Sequence, residues 1–263
     1  MSTHPKATHY EAVVAKATTR PHILRFDDGN SYVTKFRGNP EGDSVLIKEF
    51  VASELLRALD FARLEGRVVT VELDLMRRQA ELSGLASGPQ FGSLYESDNN
   101  AFSVRELRSL TNYSDLPQIV VFDTFLCNTD RHLANIFFVR DRTQSAVAYR
   151  FAMIDHDRIF GWAKWDCQAL AYGKTSRTLS DGLNILDYIP PTLDVFEPFL
   201  LRLEAMGLEK IEAILDAVPP EWGFTLSDKA AVLDFLLIRK GFVRSIIARN
   251  IAARASQKID QRS

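Results

Sequence analysis

Much of what constrains this 263-residue chain is what it has little of. Its two cysteines, Cys127 and Cys167, are too few and too far apart for a metal knuckle or a disulfide framework. They are expected to be buried thiols in a reducing compartment. No window approaches the roughly 18 apolar residues of a membrane span. The opening stretch MSTHPKATHYEAVVAKATTR lacks the unbroken apolar core of a secretory signal. Charge of one sign is missing too. Lys and Arg number 32 against 34 Asp and Glu, a formal net charge of −2, which removes any electrostatic reason to expect nucleic acid or an anionic membrane as the main partner. Internal repeats and low-complexity tracts are absent. The expectation is a cytoplasmic globular protein with neither a membrane nor a direct nucleic-acid partner.

The charge balance breaks only at the end, where Arg239 to Ser263 carries seven Lys or Arg against one Asp. This reads as the solvated face of a last helix, with an anion-binding tail as the alternative. Apolar residues make up 46% of the chain, enough to fill a substantial core. Alternation predicts strands at 10–15, 22–26 and 31–36, the last two joined by the turn Asp27-Asp28-Gly29-Asn30. A helix follows at 45–59, with Ile47, Phe50, Val51, Leu55 and Ala58 forming its apolar stripe. Glu54 falls inside that stripe and Glu49 outside it, so periodicity nominates Glu54 as the buried carboxylate partner of Lys35. A strand is expected at 67–73, then an irregular connector at 83–93 in which glycines allow close backbone approach. Ser103 to Leu110 reads as a short helix with Ser103 as its cap, and Leu116 to Leu126 as a second, entered through Pro117. Strands follow at 136–139 and 147–154. After Trp165 the pattern is helical: 193–206 with a break or start at Pro198, 208–217, and one long helix from Ser227 to about Ala253.

The segment from Ile119 to Gly161 organises the rest. An apolar run leads into the polar turn Asn128-Thr129-Asp130-Arg131-His132; Asn135 follows, and a second apolar run ends at Asp155. One carboxylate beside an attacking hydroxyl, plus an amide oxygen and a second carboxylate to hold magnesium against phosphates, is what phosphoryl transfer requires. Asp130, Asn135 and Asp155 offer those groups in that order. His132, two residues after Asp130, is a candidate base, and Asp157 either adds to the metal site or faces solvent.

With VTKF at 33–36, KEFVASELLRALDF at 48–61, NTDRHLANIF at 128–137 and MIDHD at 153–157, the chain resembles the HipA-like kinases. The D-R-H-x-x-N-I core is also similar to that of phosphoinositide kinases. The resemblance implies an α+β, two-lobed protein-kinase-like fold: an antiparallel-sheet lobe over 1–86, a mainly helical lobe over 87–263, and ATP between them. It implies a Mg2+- and ATP-dependent kinase acting on a Ser/Thr hydroxyl of a protein, with the chain itself among the candidate substrates. Lys35 then grips the phosphates, Glu49 orients that lysine, Asp130 is the catalytic carboxylate, Asn135 and Asp155 ligate magnesium, and His132 is an orienting or phosphate-neighbouring group rather than a base. Here resemblance and periodicity disagree, one naming Glu49 and the other Glu54. The phosphate-covering loop of kinases is glycine-rich, whereas the corresponding residues 16–21 contain no glycine; Thr18, Thr19 and Arg20 are expected to contact phosphate instead. That departure keeps a non-catalytic nucleotide-binding or regulatory module as an alternative, and the shared core keeps a lipid kinase as another. An antitoxin-like or regulatory protein is the partner the resemblance suggests.

Overall fold

The computed structural model describes residues 4–14, 17–96, 104–161 and 167–260. The expected cap Ser103 and residues Lys16 and Trp165 lie outside them, and the helix that begins at Cys167 is described without that residue's side chain.

Five antiparallel strands form the N-terminal sheet: β1 (Ala7–Val13), β2 (His22–Phe26), β3 (Ser31–Lys35), β4 (Gly66–Val71) and β5 (Gly88–Leu94), in the order β1-β2-β3-β5-β4. Gly29, at φ 82°, closes the β2–β3 hairpin in the conformation that glycine adopts without Cβ strain. The segment expected as an irregular connector is instead β5, a central strand pairing Lys35 with Phe91 on one side and Val68 with Phe91 on the other. Its glycines serve packing rather than looping: a Cβ on Gly92 would sit 3.0 Å from Val69 and 3.1 Å from Tyr32. The sheet therefore continues past residue 86.

Helix α1 (Ser44–Leu59) lies between β3 and β4 in sequence. The short α2 (Leu73–Arg77) takes up Leu73, which had been expected to end the β4 strand. Residues 104–109 form a 3-10 helix, and α3 (Pro117–Leu126) follows with Pro117 in its first turn, where a missing N–H costs nothing. The hairpin β6 (Ile136–Arg140) and β7 (Tyr149–Met153) is the second sheet. The remaining helices are α4 (Cys167–Thr175), α5 (Glu197–Ala205), α6 (Leu208–Asp216), α7 (Leu226–Lys240) and α8 (Val243–Asp260). The single long helix expected after Ser227 is thus two, broken at Gly241 and Phe242, because glycine lowers helix propensity where α7 must end.

A small apolar cluster of Leu24, Phe26, Tyr32, Val69 and Leu75 fills one side of the sheet. On the other side α1 joins the large core that also contains α3, α5, α6 and α7. The C-terminal half holds α1 from behind through the turn Pro219–Gly223. Trp222 is buried, packs edge-on against Phe50 with centroids 5.9 Å apart, and donates from Nε1 to the Pro89 carbonyl at 2.9 Å. Beside it Arg37 donates to the carbonyls of Glu221, at 3.0 Å, and Ser87.

The basic C-terminus is only partly a solvated face. Arg239 is fully buried and donates to the carbonyls of Thr124 and Phe125, which the end of α3 leaves without helical partners, and to that of Ser176. Arg244 is held by Glu197 and Glu204, and Arg254 by Asp187. Cys127 is buried with a free thiol, as expected. Among the described residues no helix is long and apolar enough to cross a membrane.

Candidate active site

The site is assembled on three backbones: the end of β3, the first half of α1, and the loops that flank the β6–β7 hairpin. Lys35 closes β3 and turns its ammonium into the cleft, where Nζ donates to Glu49 Oε1 at 2.5 Å and to Asp155 Oδ1 at 2.8 Å. Burial alone would lower the Lys35 pKa, but the two carboxylates outweigh it and hold the ammonium above its ordinary value. Burial likewise opposes the Glu49 carboxylate, yet Lys35 and then His156 hold it well below the usual carboxylate range. The backbone N–H of His156 donates to Glu49 Oε1 at 3.1 Å.

Glu49, and not Glu54, is therefore the partner of Lys35. Glu54 sits at the surface and pairs with Arg57 at 2.5 Å. Periodicity misleads here because α1 is buried on nearly every side, Lys48, Glu49 and Ser53 included, so the stripe marks only its apolar contacts and leaves out the face turned to the cleft.

The turn after α3 is locked from within. Arg131 forms a two-pronged pair with Asp123, Nε to Oδ2 at 2.8 Å and Nη2 to Oδ1 at 3.0 Å, with both side chains 1% exposed. Its Nη1 forks to the carbonyls of Asn135, at 2.7 Å, and Ile154, at 2.8 Å. Asn128 adds a bond from Nδ2 to Asp123 Oδ1 at 2.9 Å, and its own Oδ1 accepts the Asp130 N–H at 3.1 Å. The Ile154 N–H donates to the Asn135 carbonyl at 3.1 Å. One buried guanidinium thus ties the Asp130 loop to the residue preceding Asp155. The sequence marks Arg131 only as a member of the polar turn; the signal for its partner is Asp123, a lone carboxylate inside the apolar run of α3.

On the solvent side the Asp130 carboxylate is half exposed, with His132 Nε2 3.8 Å from Oδ2. The Asn135 amide donates from Nδ2 to the Asp130 carbonyl at 2.9 Å, which leaves its Oδ1 as the acceptor end. Asp155 has φ 56°, a left-handed conformation that bends the chain as it leaves β7. Asp157 is buried, and burial, with the neighbouring Asp155 charge second, pushes its carboxyl up to about 6. Behind it Lys48 donates to the Asp157 carbonyl at 3.0 Å, and burial lowers this ammonium to about 8. Among the described residues no three His, Cys, Asp or Glu side chains cluster as a complete metal cage.

A cleft of about 430 Å3 opens between sheet and hairpin, with Lys35, Glu49 and Asp155 at one end and Val14, Val33, Phe137 and Ile154 among its apolar walls. Its size and its mixture of apolar wall and convergent charge suit a small ligand. Of the loop residues expected to meet phosphate, Thr19 is buried and lines the cleft, whereas Thr18 and Arg20 are exposed and lie outside its lining.

Comparison with known proteins agrees with this fold. Among solved structures, the Helicobacter pylori proinflammatory kinase CtkA is similar, with a TM-score of 0.61, 15% identity and 95% of this chain covering 98% of that one. A Golgi casein kinase gives a TM-score of 0.51 at 12% identity over 98% of this chain and 75% of its own. HipA of Shewanella oneidensis MR-1, solved with HipB and operator DNA, gives 0.51 at 11% identity over 90% and 68%. Among curated proteins no sequence matches. The family model described as HipA-like kinase matches residues 11–172, well over half of the chain. With a two-lobed kinase fold and the Lys35, Glu49 and Asp155 array on one side of the cleft, the chain belongs to the HipA-like kinase family.

Proposed function

We propose that this kinase uses Mg2+ and ATP to phosphorylate a Ser or Thr hydroxyl of a protein. The observation that carries the reading is the Lys35 fork, which joins the sheet, α1 and the Asp155 turn through bonds of 2.5 Å and 2.8 Å. A lysine held this way offers one fixed positive charge to phosphate oxygens. Asp130 is the group that accepts the proton of the attacking hydroxyl; its half-exposed carboxylate is open to an incoming substrate. Asn135 Oδ1 and Asp155 would hold the magnesium. They form an all-oxygen set of the kind this cation prefers, with waters and phosphates completing its shell. When bound, the ion supplies charge neutralisation on the phosphates. Thr19, in place of glycine-rich backbone, contributes the loop contact, and His132 flanks Asp130. The lobes are proposed to connect after Leu94, where β5 ends.

Protein is favoured over lipid as acceptor because the basic C-terminal residues, the one membrane-docking feature in the sequence, are engaged internally at Arg239, Arg244 and Arg254. A cytoplasmic setting fits a chain with two cysteines, one of them a buried free thiol. A regulatory protein partner follows only by likeness to HipA, which is seen with HipB. The test is incubation with labelled ATP, magnesium and host lysate, followed by identification of the labelled species, the chain included. Asp130→Asn should remain folded while transfer falls about 10²- to 10⁴-fold. Undiminished labelling by Asp130→Asn or Asp155→Asn would overturn these roles, and ATP binding without turnover by the wild type would point to a non-catalytic module.

A further inference from the structure

A second, smaller compartment of about 20 Å3 borders Glu49 and is lined by Ser53, Gly66, Phe91 and His156 among others. It shares Glu49, Ser93 and Asp155 with the nucleotide cleft. Two polar atoms of its lining residues, Ser53 Oγ and His156 Nε2, have no hydrogen-bond partner among the described residues although their residues are only 6% and 4% exposed. Buried polar groups are rarely left so, because their lost hydration is not replaced. A compartment above about 10–15 Å3 with two or more polar partners holds one water. The other ring nitrogen, His156 Nδ1, lies 3.6 Å from Glu49 Oε2, and the ring packs edge-on against Phe122 at 5.8 Å. With a hydrogen on Nδ1 facing the carboxylate, Nε2 is the acceptor and requires a donor from the compartment.

We propose that the compartment binds one water, which donates to His156 Nε2 and is held by Ser53 Oγ, and that His156, its tautomer fixed by this water, is a positioning residue for Glu49 and thereby for Lys35. The water links α1, which carries both Ser53 and Glu49, to the turn that carries Asp155. Register between helix and turn is then sensed at a point remote from the phosphates. The inference rests on the roles proposed for Lys35 and Glu49, but its primary readout requires no turnover.

The experiment is a crystal structure of the full chain together with 15N NMR of its histidine side chains, on the wild type and on Ser53→Ala, His156→Phe and the double variant. Wild type should show solvent density between Ser53 Oγ and His156 Nε2, and a single His156 tautomer protonated on Nδ1. Ser53→Ala should lose that density and mix the tautomers. Its ATP dissociation constant should rise about two- to tenfold, the worth of one hydrogen bond, with kcat changed less. His156→Phe preserves the ring packing and should weaken ATP similarly, and the double variant should be no worse than His156→Phe alone. An Nε2-protonated ring in the wild type, or a dry compartment, overturns the water site. A shifted tautomer with unaltered ATP affinity overturns the positioning role, and fully additive losses overturn the link between the two residues. Absence of phosphoryl transfer alongside the expected density and tautomer would instead strike the proposed kinase roles.

Discussion

Replacing Lys35 by methionine should cost more stability than replacing Glu49 by glutamine, and the difference follows from what each leaves behind. Lys35→Met strands Glu49, whose side chain is 4% exposed, with the His156 N–H as its remaining hydrogen-bond donor among the described residues. Removing one partner of such a buried pair costs about 3–5 kcal/mol. Glu49→Gln keeps an acceptor for the His156 N–H and leaves Lys35 bonded to Asp155 at 2.8 Å. Because the Asp155 side chain is 37% exposed, that surviving pair is partly screened, and a loss of about 1–3 kcal/mol is expected. The double variant should be more stable than Lys35→Met alone, since it removes the stranded charge. Urea unfolding followed by circular dichroism measures all three. The pH dependence adds a second signature. In the wild type the depressed Glu49 pKa contributes stability that is complete above the unfolded value of about 4.3 and fades as pH falls through the folded one. In Lys35→Met only His156 is left to oppose burial, so the same group is raised and the variant recovers stability as pH falls. The gap between the two proteins should therefore narrow on acidification from about pH 7 to about pH 5. Equal losses for the two single variants, or a gap indifferent to pH, would refute the reasoning.

Other expectations are simpler to state. Arg131→Lys cannot reproduce the two-pronged contact with Asp123 and should lose about 3–5 kcal/mol in urea unfolding, because both groups are buried. Lys48, lowered to about 8 by burial, binds its proton more weakly in the folded than in the unfolded chain, so stability should rise between about pH 8 and about pH 10. Urea midpoints across that range should climb in the wild type and less in Lys48→Met. Trp222→Phe retains packing against Phe50 but gives up the bond to Pro89, a loss of about 1 kcal/mol by the same measurement.

Local patterns were legible where one face of an element met solvent. The β2–β3 hairpin, α3 with Pro117 in its first turn, and the β6–β7 hairpin follow from turn chemistry and apolar spacing. The order Asp130, Asn135, Asp155 was equally visible, since a polar turn between two apolar runs stands out. Reading failed where burial is complete. β5 carries glycines that resemble a loop until Val69 and Tyr32 are seen pressing against Gly92. Glu49 looked peripheral because an all-round buried helix has no single stripe to mark its inside. Arg239, counted among surface cations, caps α3 from the core, and no local pattern announces a partner more than a hundred residues away. The compartment between Ser53 and His156 has no sequence signature, because it arises from the packing of α1, β4, β5 and the Asp155 turn.

The seating of Trp222 against Phe50 and Pro89 has a consequence for the order in which the protein matures during synthesis. Sheet strands and α1 leave the ribosome first, and local contacts can form among them, but the prop behind α1 is encoded some 170 residues after Glu49. Until that late segment docks, Phe50 lacks its aromatic neighbour, and α1, which carries Glu49, rests on β4 and β5 without its support from behind. Domains of a nascent chain ordinarily fold in sequence from the N-terminus. Here the first lobe to appear reaches its working form only when the last third of the chain arrives, so a partly synthesised or truncated product carries the residues of the site without their alignment.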